Sequence, residues 1–449
     1  MQTATLEPLL EQLQAALQAG DLARATAMIE ALRAPDQADL ISELDDATQV
    51  ALMPQLSPAD SADILEEMDD REAAELAASL HTDTLVRIVE AMEPDEAADL
   101  LGDIAPEQKS AVLARLEDPE ELHPLLVHPD DSSGGLMTSP SIALRRQMTA
   151  GEALDALRAW KPDAELIYEL FVVDAAGRLQ GVVSLRQLVV AEPHALVGEL
   201  MDRDVLYVSV EADREEAARL LARYDLLALP VVDDSRRLVG VITVDDVIDV
   251  LEEETTEDIQ RLGGAQPLEQ SYLDTAVTFI TRKRVGWLLL LFVTESLTGS
   301  VLRLFEDELD AAVVLTFFIP LLIGTGGNAG SQTTSTIIRA LAVGDIALKD
   351  ALRTFWHEAR VGLLLGLVMG VVAFGRALLW GTGTDVALTV SLAILAIVFW
   401  ANALGAVLPL LAGRLGIDPT VVSGPAMSTL VDATGLYIYL TIARTTLGL

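Results

Sequence analysis

Hydrophobic positions recur every twelve residues in the first part of the chain. Seven units of this length begin at Arg33, among them RAPDQADLISEL, SPADSADILEEM and EPDEAADLLGDI. Most units open with Ser, Asp or Pro near a helix-cap position and continue as a short apolar-periodic helix. One such helix cannot bury its own apolar face, so the pattern predicts a stacked, all-helical repeat domain over residues 1–129. We expect this domain to display Asp63, Asp95 and Asp99 on its outer surface.

The pattern changes after Met137 to that of two α/β units. The first, IYELFVVDAAGRLQGVVSLRQLV, has two apolar strands around a turn and then a helix, and LLALPVVDDSRRLVGVITVDDVI repeats this order about sixty residues later. The repeat predicts a pair of α/β modules over residues 130–251. An acidic linker is predicted over residues 252–280, where one short helical segment is crowded with like charges. Its acids are Glu252, Glu253, Glu254, Glu257 and Asp258.

A membrane domain is predicted over residues 281–449, where five apolar segments are long enough to cross a bilayer. They are Val285–Leu304, Ala311–Leu341, Val361–Trp380, Val386–Ala412 and Thr420–Ala443. Arg282, Lys283 and Arg284 precede the first segment, and the positive-inside rule places that end in the cytoplasm. An odd number of crossings then puts the C-terminus outside. The N-terminus has no signal-peptide pattern, so the front half is expected in the cytoplasm.

A single acid, Asp432, interrupts the otherwise uncharged fifth segment. A carboxylate at membrane depth is costly unless it is neutral, paired or facing water, so it is a functional candidate. At helical spacing Ser428, Thr429, Gly435 and Tyr439 share its face, which indicates a polar pore wall. The alternative is a protonated or hydrogen-bonded Asp that only holds helices together.

The second segment, FFIPLLIGTGGNAGSQTTSTIIRAL, is rich in glycine and hydroxyl residues. We expect its glycines and Pro320 to loosen the helix, which membranes tolerate where backbone faces protein or water. One face would offer carbonyl, amide and hydroxyl oxygens to a pore. That face carries Gly324, Gly327, Asn328, Ser331 and Ser335. Close helix packing through the glycines is an alternative that is compatible with a pore.

Charge is concentrated in the front half. The first 270 residues hold 19 Lys and Arg against 57 Asp and Glu, which accounts for nearly all of the net charge of −39. Such a field disfavours nucleic acid and concentrates cations, most effectively divalent ones, although an acidic solubilising surface would give the same composition. The chain has no cysteine, which excludes disulfides, thiolate metal sites and cysteine nucleophiles.

The order of these segments, with PLLIGTGGNAGSQ in the second span and GPAMSTLVDATGL in the fifth, resembles the MgtE family of magnesium channels, and the α/β modules resemble a tandem CBS pair. The resemblance implies an all-α repeat domain, an α/β CBS pair, a linker helix and five membrane helices, assembled as a homodimer in lipid. It implies Asp432 as the pore ligand of hydrated Mg²⁺ and Asp418 as the acid that meets the linker. The other implied regulatory cation positions are Asp63, Asp95, Asp99, Gly135, Asp213, Glu215, Asp225, Asp246, Asp249, Glu254, Glu257 and Asp258.

The sequence departs from the family pattern in two places. Ser331 and Gly424 stand where members often carry Asn, which alters secondary contacts of the pore. CBS pairs often bind adenine nucleotides such as ATP, and Arg186 is the matching residue here. Beside it, Glu169 and Gln187 replace the expected aromatic and acidic residues.

Together these features predict a Mg²⁺ channel, not an enzyme, in the cell membrane. Because Mg²⁺ dehydrates reluctantly and prefers octahedral oxygen ligands, we expect recognition of the hydrated ion. Cytoplasmic Mg²⁺ would close the pore by bridging the acidic front domains. The alternative is a proton- or sodium-coupled carrier of divalent cations, in which Asp432 and Glu295 would be a titrating pair.

Overall fold

The computed structural model describes residues 6–129, 131–139, 143–160, 167–268, 272–273, 275–422 and 424–449. It divides into two compact units, Met1–Glu253 and Glu254–Leu449. Each unit has its own hydrophobic core. The finer predicted boundaries, at residues 129, 251 and 280, stay predictions.

Ten short α-helices form the described part of the repeat domain, and helices α3 to α9 fall one to each twelve-residue unit. Their bounds are α1 Leu6–Gln18, α2 Leu22–Ile29, α3 Ala34–Ser42, α4 Asp46–Leu52, α5 Pro58–Glu66, α6 Asp70–Ser79, α7 Thr82–Val89, α8 Pro94–Asp103, α9 Pro106–Leu113 and α10 Pro119–Leu122. The predicted helical repeat is therefore confirmed.

The period arises from one buried apolar position in each unit, and four of the seven units also begin with a capping side chain. The buried positions lie twelve residues apart, at Leu40, Leu52, Ile64, Leu76, Ile88, Leu100 and Val112. Asp45, Ser57 and Asp69 precede α4, α5 and α6, and each side chain accepts a hydrogen bond from a first-turn backbone N–H. Such caps satisfy donors that a helix leaves unpaired. The uncapped helices α3, α8 and α9 instead have Pro in the first turn, where its fixed φ favours a helix start.

The expected surface position of Asp95 is wrong. Asp63 and Asp99 are exposed, but the side chain of Asp95 is 7% exposed. It lies in the first turn of α8 and interacts with the side chain of Thr138, in the segment that leads into the α/β modules. Packing between two parts of the first unit, which helical periodicity does not report, buries this acid.

The two α/β modules have the same three-stranded sheet. Strands β1 Ala143–Arg145, β2 Glu169–Val173 and β3 Leu179–Ser184 form one sheet, and β4 Val208–Ser209, β5 Ala228–Val232 and β6 Leu238–Thr243 form the other. In each sheet the first two strands are parallel and the last two antiparallel. The helices of the pair are α11 Ala150–Trp160, α12 Leu185–Val190, α13 Val197–Leu200, α14 Arg214–Tyr224 and α15 Val244–Leu262.

The two sheets meet at their hairpin turns. The Leu179 N–H donates to the carbonyl oxygen of Arg236 (3.0 Å), and the Leu238 N–H donates to that of Gly177 (3.0 Å). These reciprocal bonds join corresponding positions of the two copies. The predicted tandem arrangement is therefore confirmed.

The acidic linker is not a separate short helix. It continues α15, which begins at Val244 in the second module and ends at Leu262. No Gly or Pro interrupts this stretch, so the last helix of the module extends through the acidic residues until Gly263 and Gly264 end it.

In the second unit the described residues contain five helical segments long and apolar enough to span a membrane, as predicted. The helices of this unit are α16 Val277–Leu304, α17 Glu306–Ala311, α18 Ile319–Ala342, α19 Ala351–Leu379, α20 Thr384–Arg414 and α21 Gly424–Leu447. Helix α20 lies at the centre and packs against α18, α19 and α21. Many of its small residues are buried, including Ala393, Ala401 and Ala406.

Residues 313–318 of the second span form a 3₁₀-helix, but the glycine-rich part that follows is one continuous α-helix, so the expectation that its glycines loosen it is wrong. Helix α18 runs from Ile319 to Ala342, with Pro320 in the first turn, where a proline is tolerated. The glycines admit neighbouring side chains instead. A Cβ on Gly330 would lie 2.8 Å from the terminal methyl of Met427, and one on Gly326 would meet Ile397. Close packing through glycine therefore explains this part of the pattern.

Candidate cation path and acidic regulatory surface

Helices α18 and α21 bring the predicted pore residues together. The Ser331 hydroxyl donates to the carbonyl oxygen of Gly424 (3.1 Å) and lies 3.4 Å from the hydroxyl oxygen of Ser428. Asp432 lies one turn further along α21 and is half-buried. Short hydroxyl side chains thus hold the two helices close at the start of the face that carries the acid.

One face of α18 is open within the chain. Gly324, Asn328 and Ser335 are exposed and Ser331 is half-buried, and a Cβ on Gly324 would meet nothing within 4 Å. Gly327 differs because it packs against Ser428 on α21. Four predicted positions therefore form a continuous polar surface that a cation or another helix could occupy.

The far part of the predicted stripe on α21 is packed rather than open. Gly435 is buried with its Cα facing Ile397, and Tyr439 is fully buried with its hydroxyl donating to the carbonyl oxygen of Leu315 (3.0 Å). These contacts anchor α21 to the centre of the unit. The open part of the α21 face is therefore limited to the neighbourhood of Asp432.

Glu295, to which the sequence gives a role only in the alternative coupled carrier, lies near Asp432. Helix α16 packs along α21, and the Phe305 ring centroid lies 5.8 Å from that of Tyr437. The carboxylates of Glu295 and Asp432 are close enough to repel each other. Both are acids midway along membrane helices, and this shared position is the feature of the sequence from which their proximity could have been predicted.

Asp418 lies just before α21 and contacts the end of α15. Its Oδ1 accepts a hydrogen bond from the Thr420 N–H (2.8 Å), and its Oδ2 accepts one from Nη1 of Arg261 (2.9 Å). Arg261 also pairs with Glu257 one turn earlier. Glu254 and Asp258 lie half-buried on the same helix. The predicted meeting of Asp418 with the linker is present in these contacts.

In the first unit an acidic cluster forms where the repeat domain meets the second α/β module. We define it as Glu66, Asp95, Glu96, Asp99 and Asp246. Burial, followed by the charges of Asp95 and Asp99, raises the pKa of Glu96 to about 9. Burial also raises the pKa of Asp95, whose buried Oδ1 has no hydrogen-bond partner among the described residues. The cluster therefore holds more negative charge than its surroundings stabilise.

Helix α15 supplies the other side of this cluster. The Thr243 hydroxyl donates to Oδ2 of Asp246 (2.6 Å), which fixes the carboxylate. Burial and the charge of Asp95 raise the pKa of Asp246 to about 7. One turn on, exposed Asp249 lies near Glu67, and burial followed by this charge raises the pKa of Glu67.

A second group of predicted residues lies at the entrance to the first module. The Ser133 N–H donates to the carbonyl oxygen of Ala212 (2.6 Å), which brings the Gly135 loop beside Asp213. Asp213 caps α14 by accepting from the Glu215 N–H (2.8 Å), and Glu215 pairs with Arg219. A cavity of about 440 Å³ here is lined by His128, Asp131, Ser132, Glu211 and Asp213, among others.

Asp225 lies apart from this group. It is exposed and ends α14 in the left-handed conformation, with φ 52°. Its position is explained locally, since Asp is among the residues that tolerate this conformation. No contact in the described residues brings it to the acidic cluster.

The acids are neighbours, but they do not form a preformed metal cage. Among the described residues no group of three Asp, Glu or His side chains is arranged to hold a metal ion. Sequence reasoning missed Glu66 and Glu96, both on repeat helices that face the second module. The sequence feature that could have indicated these two residues is the excess of acids at the ends of the twelve-residue units. Which of those ends face the module depends on tertiary packing, which the sequence pattern does not report.

The residues at the predicted nucleotide position are committed to local structure. Oε1 of Gln187 accepts hydrogen bonds from the Ser184 N–H (2.8 Å) and hydroxyl (3.0 Å), forming a capping box at the start of α12. Arg186 is exposed, and burial raises the pKa of Glu169. The position therefore offers one guanidinium beside a half-buried acid.

Comparison with known proteins finds matches to the repeat domain, to the α/β modules and to much of the membrane unit. The family described as MgtE, divalent cation transporter, matches residues 319–442, the MgtE intracellular N domain matches 9–131, and the CBS domain matches 134–193 and 197–253. The magnesium transporter MgtE of Thermus thermophilus is 47% identical over 324 residues, which cover 72% of each chain. That of Bacillus subtilis is 33% identical over 71% of this chain and 70% of its own length.

Two solved structures resemble the front of the chain. The cytosolic domain of the Mg²⁺ channel MgtE in complex with ATP is 39% identical, with a TM-score of 0.51, and covers 54% of this chain and 99% of its own. The soluble part of a magnesium transporter is 30% identical, with a TM-score of 0.50, and covers 56% of this chain and 99% of its own. By architecture and by sequence, this multi-pass membrane protein belongs to the MgtE family of divalent cation transporters.

Proposed function

We propose that the protein is a channel that conducts Mg²⁺ across the cell membrane and closes when Mg²⁺ binds its cytoplasmic domains. The observation that carries this proposal is the half-buried Asp432 beside the open polar face of α18, inside the segment matched by the transporter family. The relatives named as magnesium transporters support the choice of ion.

The chemistry of this face suits a hydrated ion. Mg²⁺ keeps most of its water and is usually bound through one or two carboxylates, so a path with one acid and several neutral oxygens would contact its water shell. Asp432 would supply the attraction. Asn328 and Ser331 would supply hydrogen bonds to water, together with the close backbone approach that Gly324 permits.

We propose that the pore is completed by a second copy of the chain. Helix α16 buries only Thr298 within the chain among its described residues, and the polar face of α18 is open. A polar face is costly against lipid, whereas a two-fold partner would cover it and bring two Asp432 carboxylates to one axis. The apolar outer faces of α16 and α19 would then contact lipid.

Regulation is assigned to the acidic cluster and to the acids near Asp213. Their like charges repel at low Mg²⁺, and bound cations would stabilise the compact form by mass action. Asp63, Asp249 and Asp225 are further candidate cation positions on the same unit. We assign the front domains to the cytoplasm and the C-terminus to the outside, on the charge of residues 282–284.

Nucleotide is a secondary ligand in this proposal. One solved relative was crystallised with ATP, and Arg186 would be the phosphate-facing residue here. A carboxylate at Glu169 and a cap at Gln187 weaken that site, so we expect ATP to bind more weakly to this chain than divalent cations do. Calorimetric titration of the chain with ATP and with MgCl₂ measures both.

The decisive experiment is Mg²⁺ flux into liposomes that contain the full chain. Asp432→Ala should abolish most of the flux, whereas the matched control Asp307→Asn, an exposed acid on α17, should leave it intact. Equal flux from wild type and Asp432→Ala would refute the pore assignment. Saturating uptake driven by a pH or sodium gradient would favour the coupled carrier.

A further inference from the structure

The end of the linker helix carries a cation of its own. Arg261 lies in the last turn of α15, and its Nη1 is 2.9 Å from Oδ2 of Asp418. Its guanidinium also pairs with Glu257 on the same helix. Arg261 therefore bridges two carboxylates, that of Glu257 on its own helix and that of Asp418, which lies 157 residues further along the chain.

The surrounding backbone holds this bridge in place. After α15 the chain turns at Gly264, which adopts φ +75° and lies against Trp287 of α16 and near Pro425 of α21. The Leu268 N–H donates to Oε1 of Gln260 (2.8 Å), which folds the following segment back onto the helix. The helix end is thus fixed beside the starts of two membrane helices, where Arg261 meets Asp418.

The guanidinium of Arg261 lies between two acids, Glu257 and Asp418. Arg is always charged and bonds carboxylates from a rigid fork, so it can hold two acids at once without any bound ion. The Arg261, Glu257 and Asp418 side chains are 39%, 24% and 36% exposed. Water therefore reaches the bridge, so Arg261 can separate from the two carboxylates when the channel opens or closes.

We propose that Arg261 is a built-in cation that positions the linker helix against the mouth of the pore when no divalent cation is bound. Cytoplasmic Mg²⁺ then completes closure from a linker that is already docked. This inference rests on the proposed function, because it extends the proposed closure by cytoplasmic Mg²⁺ to the linker helix. It adds a contact between that helix and Asp418 that needs no metal.

The test uses the full chain in planar bilayers, with Mg²⁺ outside and chelator on the cytoplasmic face. Arg261→Gln should raise the open probability at zero cytoplasmic Mg²⁺ and increase the half-closing Mg²⁺ concentration by about three- to tenfold. Arg261→Glu should increase both further, because it places three acids together. The unitary conductance should not change, which separates a positioning role from damage to the pore.

Charge reversal supplies the control for folding. The double variant Arg261→Glu with Asp418→Arg restores an opposite-charge pair, so its open probability at zero cytoplasmic Mg²⁺ should return toward wild type. Arg282→Gln, which removes an exposed charge at the start of α16, should behave as wild type.

Two results would overturn the inference. Open probability and half-closing concentration equal to wild type in Arg261→Gln and Arg261→Glu would show that the bridge has no role. A lower half-closing concentration would show that Arg261 competes with Mg²⁺ instead of assisting it. If the wild type itself conducts no Mg²⁺, the proposed function fails first, so the two failures are distinguishable.

Discussion

The two units of this molecule place their acids in contrasting ways. In the first unit carboxylates crowd one another, and burial with like charge raises the pKa of Glu96 to about 9 and that of Asp246 to about 7. At the edges of the membrane unit acids stand beside arginine, as Asp418 does with Arg261 and Glu308 with Arg444. Crowded acids favour a cation that relieves repulsion, whereas Asp432, with Glu295 as its acidic neighbour, is the acid that we propose attracts cations into the path.

The largest expected effect comes from removing the charge of Asp432. Asp432→Asn keeps the size of the side chain but removes its charge, so Mg²⁺ flux in liposomes should fall by at least about tenfold, because Asp432 supplies the main attraction in the proposed path. The lower flux should come from weaker conduction through the pore, not from stronger closure by cytoplasmic Mg²⁺. Chains that also lack residues 1–129 should show the same reduction, and flux restored by that deletion would contradict this.

Neutralising the crowded acids should affect closure and leave conduction intact. The triple variant Asp95→Asn, Glu96→Gln and Asp246→Asn removes most of the repulsion that a cation could relieve. The half-closing Mg²⁺ concentration should rise by about tenfold, which corresponds to about 1.4 kcal/mol of lost coupling. Single-channel recordings measure it, and an unchanged value would remove the acidic cluster from the regulatory mechanism.

The raised pKa values predict a pH dependence of stability with a definite sign. Glu96 and Asp246 hold protons more tightly in the folded unit than in the unfolded chain, so their stabilising effect is full below the unfolded pKa and is lost as pH rises through about 7 and about 9. The unfolding temperature of the first unit should therefore fall between pH 6 and pH 9, by about 2–4 °C for each kcal/mol lost.

Mg²⁺ should oppose this loss most strongly at the alkaline end, where the carboxylates are ionised. Calorimetry of the full chain at several pH values, with and without MgCl₂, measures both effects. The triple variant is the control, and its profile should be flatter. An unfolding temperature that rises with pH would contradict the assigned directions.

A smaller effect is expected from the second acid at membrane depth. Glu295→Gln removes repulsion beside Asp432 but also negative charge near the path, so we expect a decrease of about two- to fivefold in Mg²⁺ flux. Ser296→Ala is the matched control on the same helix. If Glu295 and Asp432 formed a titrating pair of a coupled carrier, Glu295→Gln would instead abolish the dependence of uptake on a pH gradient.

The smallest effect concerns the packing that holds α18 beside α20. The Thr333 hydroxyl donates to Oδ1 of Asn402 (2.8 Å) in the buried interior. Thr333→Val keeps the shape but leaves the amide oxygen unpaired, which should cost about 0.6–1.7 kcal/mol. Unfolding in detergent measures this cost, and Thr336→Val, at an exposed hydroxyl on the same helix, should cost less.

The sequence predicts most of the architecture because local patterns determine it. Seven buried positions at twelve-residue spacing determine the repeat helices, and apolar length determines the spans. The burial of Asp95 could not be predicted, because it depends on Thr138 and the second module. The bridge from Arg261 to Asp418 could not be predicted either, because it joins residues far apart in sequence. Helix α18 is continuous because its glycines admit neighbouring side chains, and a glycine-rich sequence does not distinguish this packing role from a loosened helix.

In the candidate site, too, features within one helix could be predicted and contacts between helices could not. Asp432 and the open face of α18 were predicted from helical spacing, since both lie within single helices. Gly435 shares that spacing but packs against Ile397, because α20 covers this side of α21. Whether a polar face is open or covered therefore depends on the neighbouring helix, which spacing alone does not identify.

The most direct test of the central claim is a single-channel recording from the full chain in a planar bilayer while Mg²⁺ is raised on the cytoplasmic face. The proposed function predicts unitary Mg²⁺ currents whose open probability falls as Mg²⁺ rises, with the same conductance but weaker closure in the triple variant of the acidic cluster. An open probability that does not change across the physiological Mg²⁺ range would contradict it.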